Sequence, residues 1–313
     1  MRTQGKRVLL SEDVLKSYRK AGRIASEVRE EATVLIKENA SLLEICEWVE
    51  NEIKARGGER AFPCNICVNE VAAHYSPPIG DRAFVPRGSL VKIDLGVHVN
   101  GYIADTAKTV SLSPKYDGMV YAINEALKEA IKTVKPGAKT SYIGDVIQKT
   151  IDRYGFKPIW NLSGHQMSRY VLHTGKSIPN VSTLGFSRIE EGDVFAIEPF
   201  LTLKSGVGEV VGLKESYIYR FQKKRRFLNG DAFRLQELIN KHFRSLPFSK
   251  RWLGELRKIS KFTEERFERA FNELLERKSL MAYPVLVEKG GNVVAQAEHT
   301  VTVTKNGCTV TTI

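Results

Sequence analysis

Four carboxylates interrupt stretches of this chain that otherwise read as apolar strands. They are Asp94 in Lys92-Ile93-Asp94-Leu95-Gly96, Asp105 in Tyr102-Ile103-Ala104-Asp105-Thr106-Ala107, Glu198 in Phe195-Ala196-Ile197-Glu198, and Glu298 in Ala295-Gln296-Ala297-Glu298-His299. Acidic residues are depleted inside strands, and burying one without a partner is costly. Taken singly, each reads as a surface residue or half of a salt bridge; four in matching settings point to metal ligands. Asn100-Gly101 separates two strand-like runs, 89–99 and 102–111, and marks a two-residue hairpin turn. Pairing about that turn sets Asp105 opposite Gly96, with Asp94 two positions along the same face, roughly 5 to 8 Å away. No run of lysine or arginine accompanies the acids as a partner. Four converging negative charges need about four positive ones, which two divalent cations supply and one does not. His165, preceded by the small Gly164, offers a neutral nitrogen as a fifth ligand. His74 and His173 are the other histidines that could take part, and their local context assigns them no role.

The elements that must carry these residues occur in the same order twice. Ser11 opens an amphipathic helix in which Val14, Leu15, Tyr18, Ala21, Ile24, Ala25 and Val28 recur at helical spacing. Ser41 and Glu44 form a capping box for a second helix that ends at Gly57-Gly58. Residues 61–75 read as extended or irregular, and the hairpin follows. The order then repeats: a helix over about 115–134, a break at Pro136-Gly137, a helix over about 141–154, and strands from near Asp193. Gly88-Ser-Leu-Val-Lys-Ile-Asp94 matches Gly192-Asp-Val-Phe-Ala-Ile-Glu198, an offset of 104 positions (198 minus 94). Such duplication predicts an α+β fold of two pseudo-equivalent halves whose carboxylates meet at a shared centre. Residues 214–281 break the repeat, with helical periodicity from about Asp231 to Lys278, and read as an inserted helical subdomain of a single domain spanning 1–313. Strands over 283–287 and 293–304 follow, the second carrying Glu298.

With 313 residues, 42% of them hydrophobic, the chain is long enough to bury a sizeable core. No apolar run approaches the length of a membrane span, and Met1–Arg7 lacks the apolar stretch of a signal peptide, so a cytoplasmic protein is expected. Cysteines at 46, 64, 67 and 308 are too few for a disulfide scaffold and do not repeat as zinc-ribbon pairs. The net charge of +12 bears on encounter partners, not on chemistry. Its densest run, Lys223-Lys224-Arg225-Arg226, reads first as a solvated basic loop. Gly206-Val207-Gly208 lacks the following helix of a nucleotide loop.

Over nearly its whole length the sequence resembles the methionine aminopeptidases, type 2 class, within the wider pita-bread family that also contains proline-specific aminopeptidases and prolidases. The residues that carry the likeness are Ala61-Phe62-Pro63, Ala72-Ala73-His74-Tyr75, Lys92 to Gly96, Gly101 to Ala107, Gly164-His165, His173-Thr174-Gly175-Lys176, Ala196-Ile197-Glu198-Pro199 and Glu298-His299-Thr300. The 214–281 segment resembles the helical insert that separates type 2 from type 1 enzymes. The resemblance implies the pita-bread fold and two divalent ions. Asp94 would chelate one, His165 and Glu198 the other, and Asp105 and Glu298 would bridge both. Manganese, iron, cobalt and zinc all suit four carboxylates and an imidazole. It further implies that Glu198 shuttles a proton, that His74 and His173 hydrogen-bond the substrate amide and the developing oxyanion, and that Phe62, Pro63, Leu172 and Tyr283 line a methionine pocket. The implied activity is removal of the first methionine from nascent proteins whose second residue is small. Apart from the resemblance, a monomer is expected, and the basic surface could meet the ribosome. Two other readings stand beside that activity: a proline-specific peptidase of the same fold, and a non-catalytic relative that binds RNA or protein. Retention of all five ligand types weighs against the second.

Overall fold

The computed structural model describes residues 10–259 and 261–313; Met1–Arg7, read above for a signal peptide, lies outside the described residues. Ser11 caps helix α1 (Glu12–Leu35), its hydroxyl accepting from the Val14 amide, and Tyr18, Ala21, Ile24, Ala25 and Val28 are all buried. Helix α2 (Leu42–Ala55) begins at Ser41, whose hydroxyl accepts from the Glu44 amide at 3.3 Å, and Gly57 follows it at φ +74°. The stretch 61–75 is more regular than its sequence suggests: it holds β1 (Glu59–Val68) and β2 (Val71–Ala73). Strands β3 (Leu90–Val99) and β4 (Tyr102–Ser111) form the expected hairpin, in register Gly96↔Asp105. Asn100 and Gly101 both have positive φ, as the turn requires. Sheet order is β1-β3-β4, and α1 and α2 cover this sheet with one apolar core built on Ile24, Val28, Val49, Ile66, Ile93 and Leu95.

The second half repeats the plan. Helices α3 (Asp117–Lys132) and α4 (Thr140–Arg153) precede short strands β5 (Lys157–Pro158), β6 (Ser163–Gln166) and β7 (Ser177–Pro179), then β8 (Val194–Ile197) and β9 (Phe200–Thr202). Strands therefore begin well before Asp193, and His165 lies on one of them. Ile123, Leu127, Ile147 and Ile151 pack onto this half's sheet through Phe195, Ile197 and Val301.

Strand β10 (Val210–Phe221) leads into α5 (Gly230–Phe243), β11 (Pro247–Ser249), α6 (Gly254–Ile259) and α7 (Glu264–Glu276), and β12 (Leu280–Glu288) returns antiparallel to β10. The helical periodicity over 231–278 is interrupted by β11, which pairs with β10. Leu235, Ile239, Phe248, Phe267 and Phe271 form a core of their own here. The chain closes with β13 (Val294–Gln296), β14 (His299–Val303) and β15 (Cys308–Val310). Glu298, expected within a strand, falls between β13 and β14, as Glu198 falls between β8 and β9. The halves join where Ala107 bridges Glu298 and the Thr106 hydroxyl donates to the Glu298 carbonyl at 2.9 Å. The result is a mixed α/β pita-bread fold. Among the described residues no helix is long and apolar enough to cross a membrane.

Candidate active site

Where the two halves meet, Asp94, Asp105, His165, Glu198 and Glu298 line one cavity of about 380 Å³. His165 Nε2 lies 3.6 Å from Asp105 Oδ2 and 3.4 Å from Glu198 Oε1. One ligand atom each from Asp105, His165 and Glu298 fall within 4.8 Å of one another. Asp105 and Glu298 are only 3% and 2% exposed, too buried for water to neutralise their charge. Burial raises all four carboxyl pKa values, Asp94 to about 7 against a Gln296 hydrogen bond that lowers it, and Asp105, Glu198 and Glu298 well above their ordinary values with repulsion from neighbouring carboxylates as the second cause. Burial, then His173, holds the His165 pKa well below its ordinary value, so its ring is neutral. Asp94 Oδ1, Asp105 Oδ1 and His165 Nδ1 are buried without hydrogen-bond partners. Native proteins rarely leave such atoms orphaned, and hard oxygen donors with an imidazole are what a divalent transition metal takes. The residues fit a metal centre.

Local sequence explains the placement. A Cβ on Gly164 would sit 2.5 Å from the Ala196 carbonyl oxygen, so only glycine lets β6 approach β8 and pair His165 with Ala196. Asp105 is clamped across the halves by Thr300: its amide donates to the Thr300 hydroxyl at 2.7 Å, and that hydroxyl donates to the Asp105 carbonyl at 2.8 Å. Gly96, opposite Asp105, leaves room for the Phe62 ring, which a Cβ would meet at 2.2 Å.

His74, His173, Phe62, Leu172 and Tyr283 line the same cavity; Pro63 is buried and is not among its lining residues. His74 has φ +68°, an uncommon conformation for a residue with a side chain. Its Nδ1 lies 3.1 Å from the Pro284 carbonyl oxygen, and its ring meets Tyr283 edge-on at 5.5 Å. His173 lies against His165 with ring centroids 4.1 Å apart and the rings tilted by 41°. Burial lowers the pKa of both, His173 to about 4 with help from His74 and Arg220. The lining residues that the sequence does not single out include Asn65, Ile218 and Pro247. Asn65 had a signal, an amide inside an apolar strand, and its Oδ1 is buried without a partner beside Asp94. Ile218 and Pro247 had none, since both look like ordinary packing residues.

The sequence pattern of Metallopeptidase family M24 matches residues 16–305. The chain is 44% identical over 302 residues to the methionine aminopeptidase of Methanothermobacter thermautotrophicus, covering 96% of this chain and 99% of that one. Against the methionine aminopeptidase of Methanocaldococcus jannaschii it is 47% identical over 292 residues, covering 93% and 96%. Among solved structures, a thermophilic Arx1 superimposes with TM-score 0.82 at 20% identity, over 96% of this chain and 91% of that one. A methionine aminopeptidase from Rickettsia prowazekii superimposes with TM-score 0.69 at 20% identity, over 98% and 99%. At that identity the two structures speak to the fold alone.

Proposed function

The chain belongs to metallopeptidase family M24, and from that premise we propose that it is a methionine aminopeptidase, releasing the first methionine of polypeptides whose second residue is small. The observation that carries this reading is one cavity lined by four carboxylates and His165 together with the apolar Phe62 and Leu172. The near full-length likeness to named methionine aminopeptidases supports the substrate class.

Family membership implies divalent cations, and the charge count supports two. Asp94 would hold one, His165 and Glu198 the other, with Asp105 and Glu298 shared. Such cations supply Lewis acidity, bringing the pKa of a water towards neutrality and polarising a carbonyl. Cobalt, manganese, iron and zinc all fit this donor set.

The remaining chemistry belongs to side chains. Glu198, whose carboxylate burial makes more basic, takes a proton from the attacking water and returns it to the leaving amine. His74 is neutral, and its Nδ1 faces a carbonyl that can only accept; Nδ1 therefore carries the hydrogen and Nε2 is left as an acceptor. An acceptor there suits the N–H of the scissile amide. His173, also neutral, donates to the substrate carbonyl oxygen and holds the charge that develops on it. Phe62, Leu172 and Tyr283 enclose a slot that an unbranched thioether can enter.

Residues 214–281 we take as an inserted helical subdomain of the single domain; their separate apolar core and the contribution of Ile218 and Pro247 to the cavity wall support this. We further place the protein in the cytosol as a monomer, with the basic loop at Lys223–Arg226 meeting the ribosome beside the exposed Phe227. Unchanged ribosome co-sedimentation at low salt after neutralising those four charges would remove that part. The central test is metal content measured together with hydrolysis of Met-Gly-Met, Met-Lys and Xaa-Pro peptides. Cleavage of Met-Gly-Met well above the others is expected; a preference for Xaa-Pro would make the chain a proline-specific peptidase instead.

A further inference from the structure

On strand β10, Ile218 pairs with Tyr283 and Arg220 with Met281, while on the other side Ile218 pairs with Ser249 and Arg220 with Pro247. Residues two apart on a strand share a face with each other and with their cross-strand partners. Ile218, Tyr283 and Pro247 all line the cavity, so Arg220 leaves β10 on the cavity side, one step beyond Ile218. Its Nε is buried with no hydrogen-bond partner among the described residues. Its charge is felt by His173 and Tyr283, whose neutral rings do not balance it. A guanidinium is always protonated, and a buried N–H of it without an acceptor is a standing cost. An acceptor arriving with the substrate would remove that cost.

The direction of a bound peptide follows from the site. Its first side chain lies in the slot of Phe62 and Leu172, and its scissile amide lies between His74 and His173. The chain then leaves past His173, advancing about 3.3 Å per extended residue. The second residue is small, so the third is the first able to present a functional side chain near Arg220.

We propose that Arg220 is a specificity residue that binds a substrate carboxylate downstream of the scissile bond, carried by the side chain of the third residue or by the free C-terminus of a tripeptide. This rests on the aminopeptidase reading above. Planar bidentate pairing with a carboxylate is what a guanidinium offers and an ammonium does not.

The test is kcat/KM for Met-Gly-Glu-amide, Met-Gly-Gln-amide and Met-Gly-Lys-amide, and for Met-Gly-Gly as free acid and as amide. In the unaltered enzyme the Glu peptide should exceed the Lys peptide by about tenfold, the factor that corresponds to 1.4 kcal/mol. Free acid exceeding amide would identify the C-terminus as a second source of the carboxylate; equality of that pair with the Glu preference retained would assign the carboxylate to the third side chain. Arg220→Met should bring the Glu-to-Lys ratio close to one, Arg220→Glu should invert it, and Arg220→Lys should keep only part of it. Equal rates on all five peptides in the unaltered enzyme, or a ratio unchanged in Arg220→Met, would overturn the assignment while leaving the aminopeptidase reading standing. No cleavage of any of the five would instead sink that reading itself.

Discussion

Burial pushes the Asp94 pKa to about 7, against about 3.9 for a free aspartate. Between those values the metal-free protein takes up a proton on folding, so each rise in pH across that window removes stability. Above about 7 this group costs no more, and Asp105, Glu198 and Glu298, raised well above their ordinary values by burial and then by neighbouring carboxylates, act in the same direction. The melting temperature of the metal-free protein should therefore fall between pH 5 and pH 8, and saturating manganese or cobalt should flatten that slope by replacing protons with cations. A flat profile without metal would contradict this account of the cluster. His165→Ala or Glu298→Ala should cut turnover about a thousandfold, a loss of roughly 4 kcal/mol, while circular dichroism stays native. His74→Asn is the cleaner probe of the amide contact, because asparagine tolerates the positive φ that His74 adopts. Its kcat should drop about a hundredfold or more with metal content unchanged. The four acids were legible in the sequence because an isolated charge in an apolar run is anomalous, although only Asp94 and Asp105 lie within strands, Glu198 and Glu298 falling between them. The backbone conformation of His74 was not, since nothing local requires it.

Among the elements, the β3–β4 hairpin was readable to the residue. Asn100-Gly101 fixes the turn, the turn fixes the register, and a slip of one would carry Asp94 and Asp105 to opposite faces from those they occupy. Strands β5, β6 and β7 were not readable: at two to four residues they are too short to show a period of two. β11 was hidden for the same reason within a helical stretch. β6 matters most, because it brings His165 beside Ala196, and Gly164 is what permits the approach. Gly164→Ala should therefore cost about 1 to 3 kcal/mol of stability and also weaken metal retention, measured by melting and by metal analysis after dialysis. Loss of stability with full metal retention would separate the packing of β6 from the placing of His165.

For the molecule as a whole, the 214–281 segment is locked to the first half by a buried ion pair. Arg251 Nη1 donates to Glu50 Oε2 at 2.7 Å and Nη2 to Oε1 at 2.8 Å, and Trp252 Nε1 reaches the same carboxylate at 2.7 Å. Burial alone would raise the Glu50 pKa, yet the Arg251 and Trp252 contacts bring it below the ordinary glutamate value. A depressed carboxyl stabilises above its unfolded pKa and is lost as pH falls through the folded one, so this link weakens only in acid. Arg251→Ala, which removes the bidentate partner and leaves Glu50 with Arg60, Trp252 and the Cys64 amide, should destabilise by about 3 kcal/mol, and thermal denaturation at neutral pH measures it. By itself the sequence determined the paired helices, the hairpin, the duplication over 104 positions and the identity of the acids, because each depends on neighbours within a few residues or on a repeated pattern. Only the tertiary structure decided that the five candidate ligand side chains share one cavity, that Ile218, Pro247 and Tyr283 help to line it, and that the buried Arg220 Nε has no hydrogen-bond partner among the described residues. Those contacts join residues up to two hundred positions apart, and their geometry follows from the packing of two sheets against each other, which no local propensity encodes.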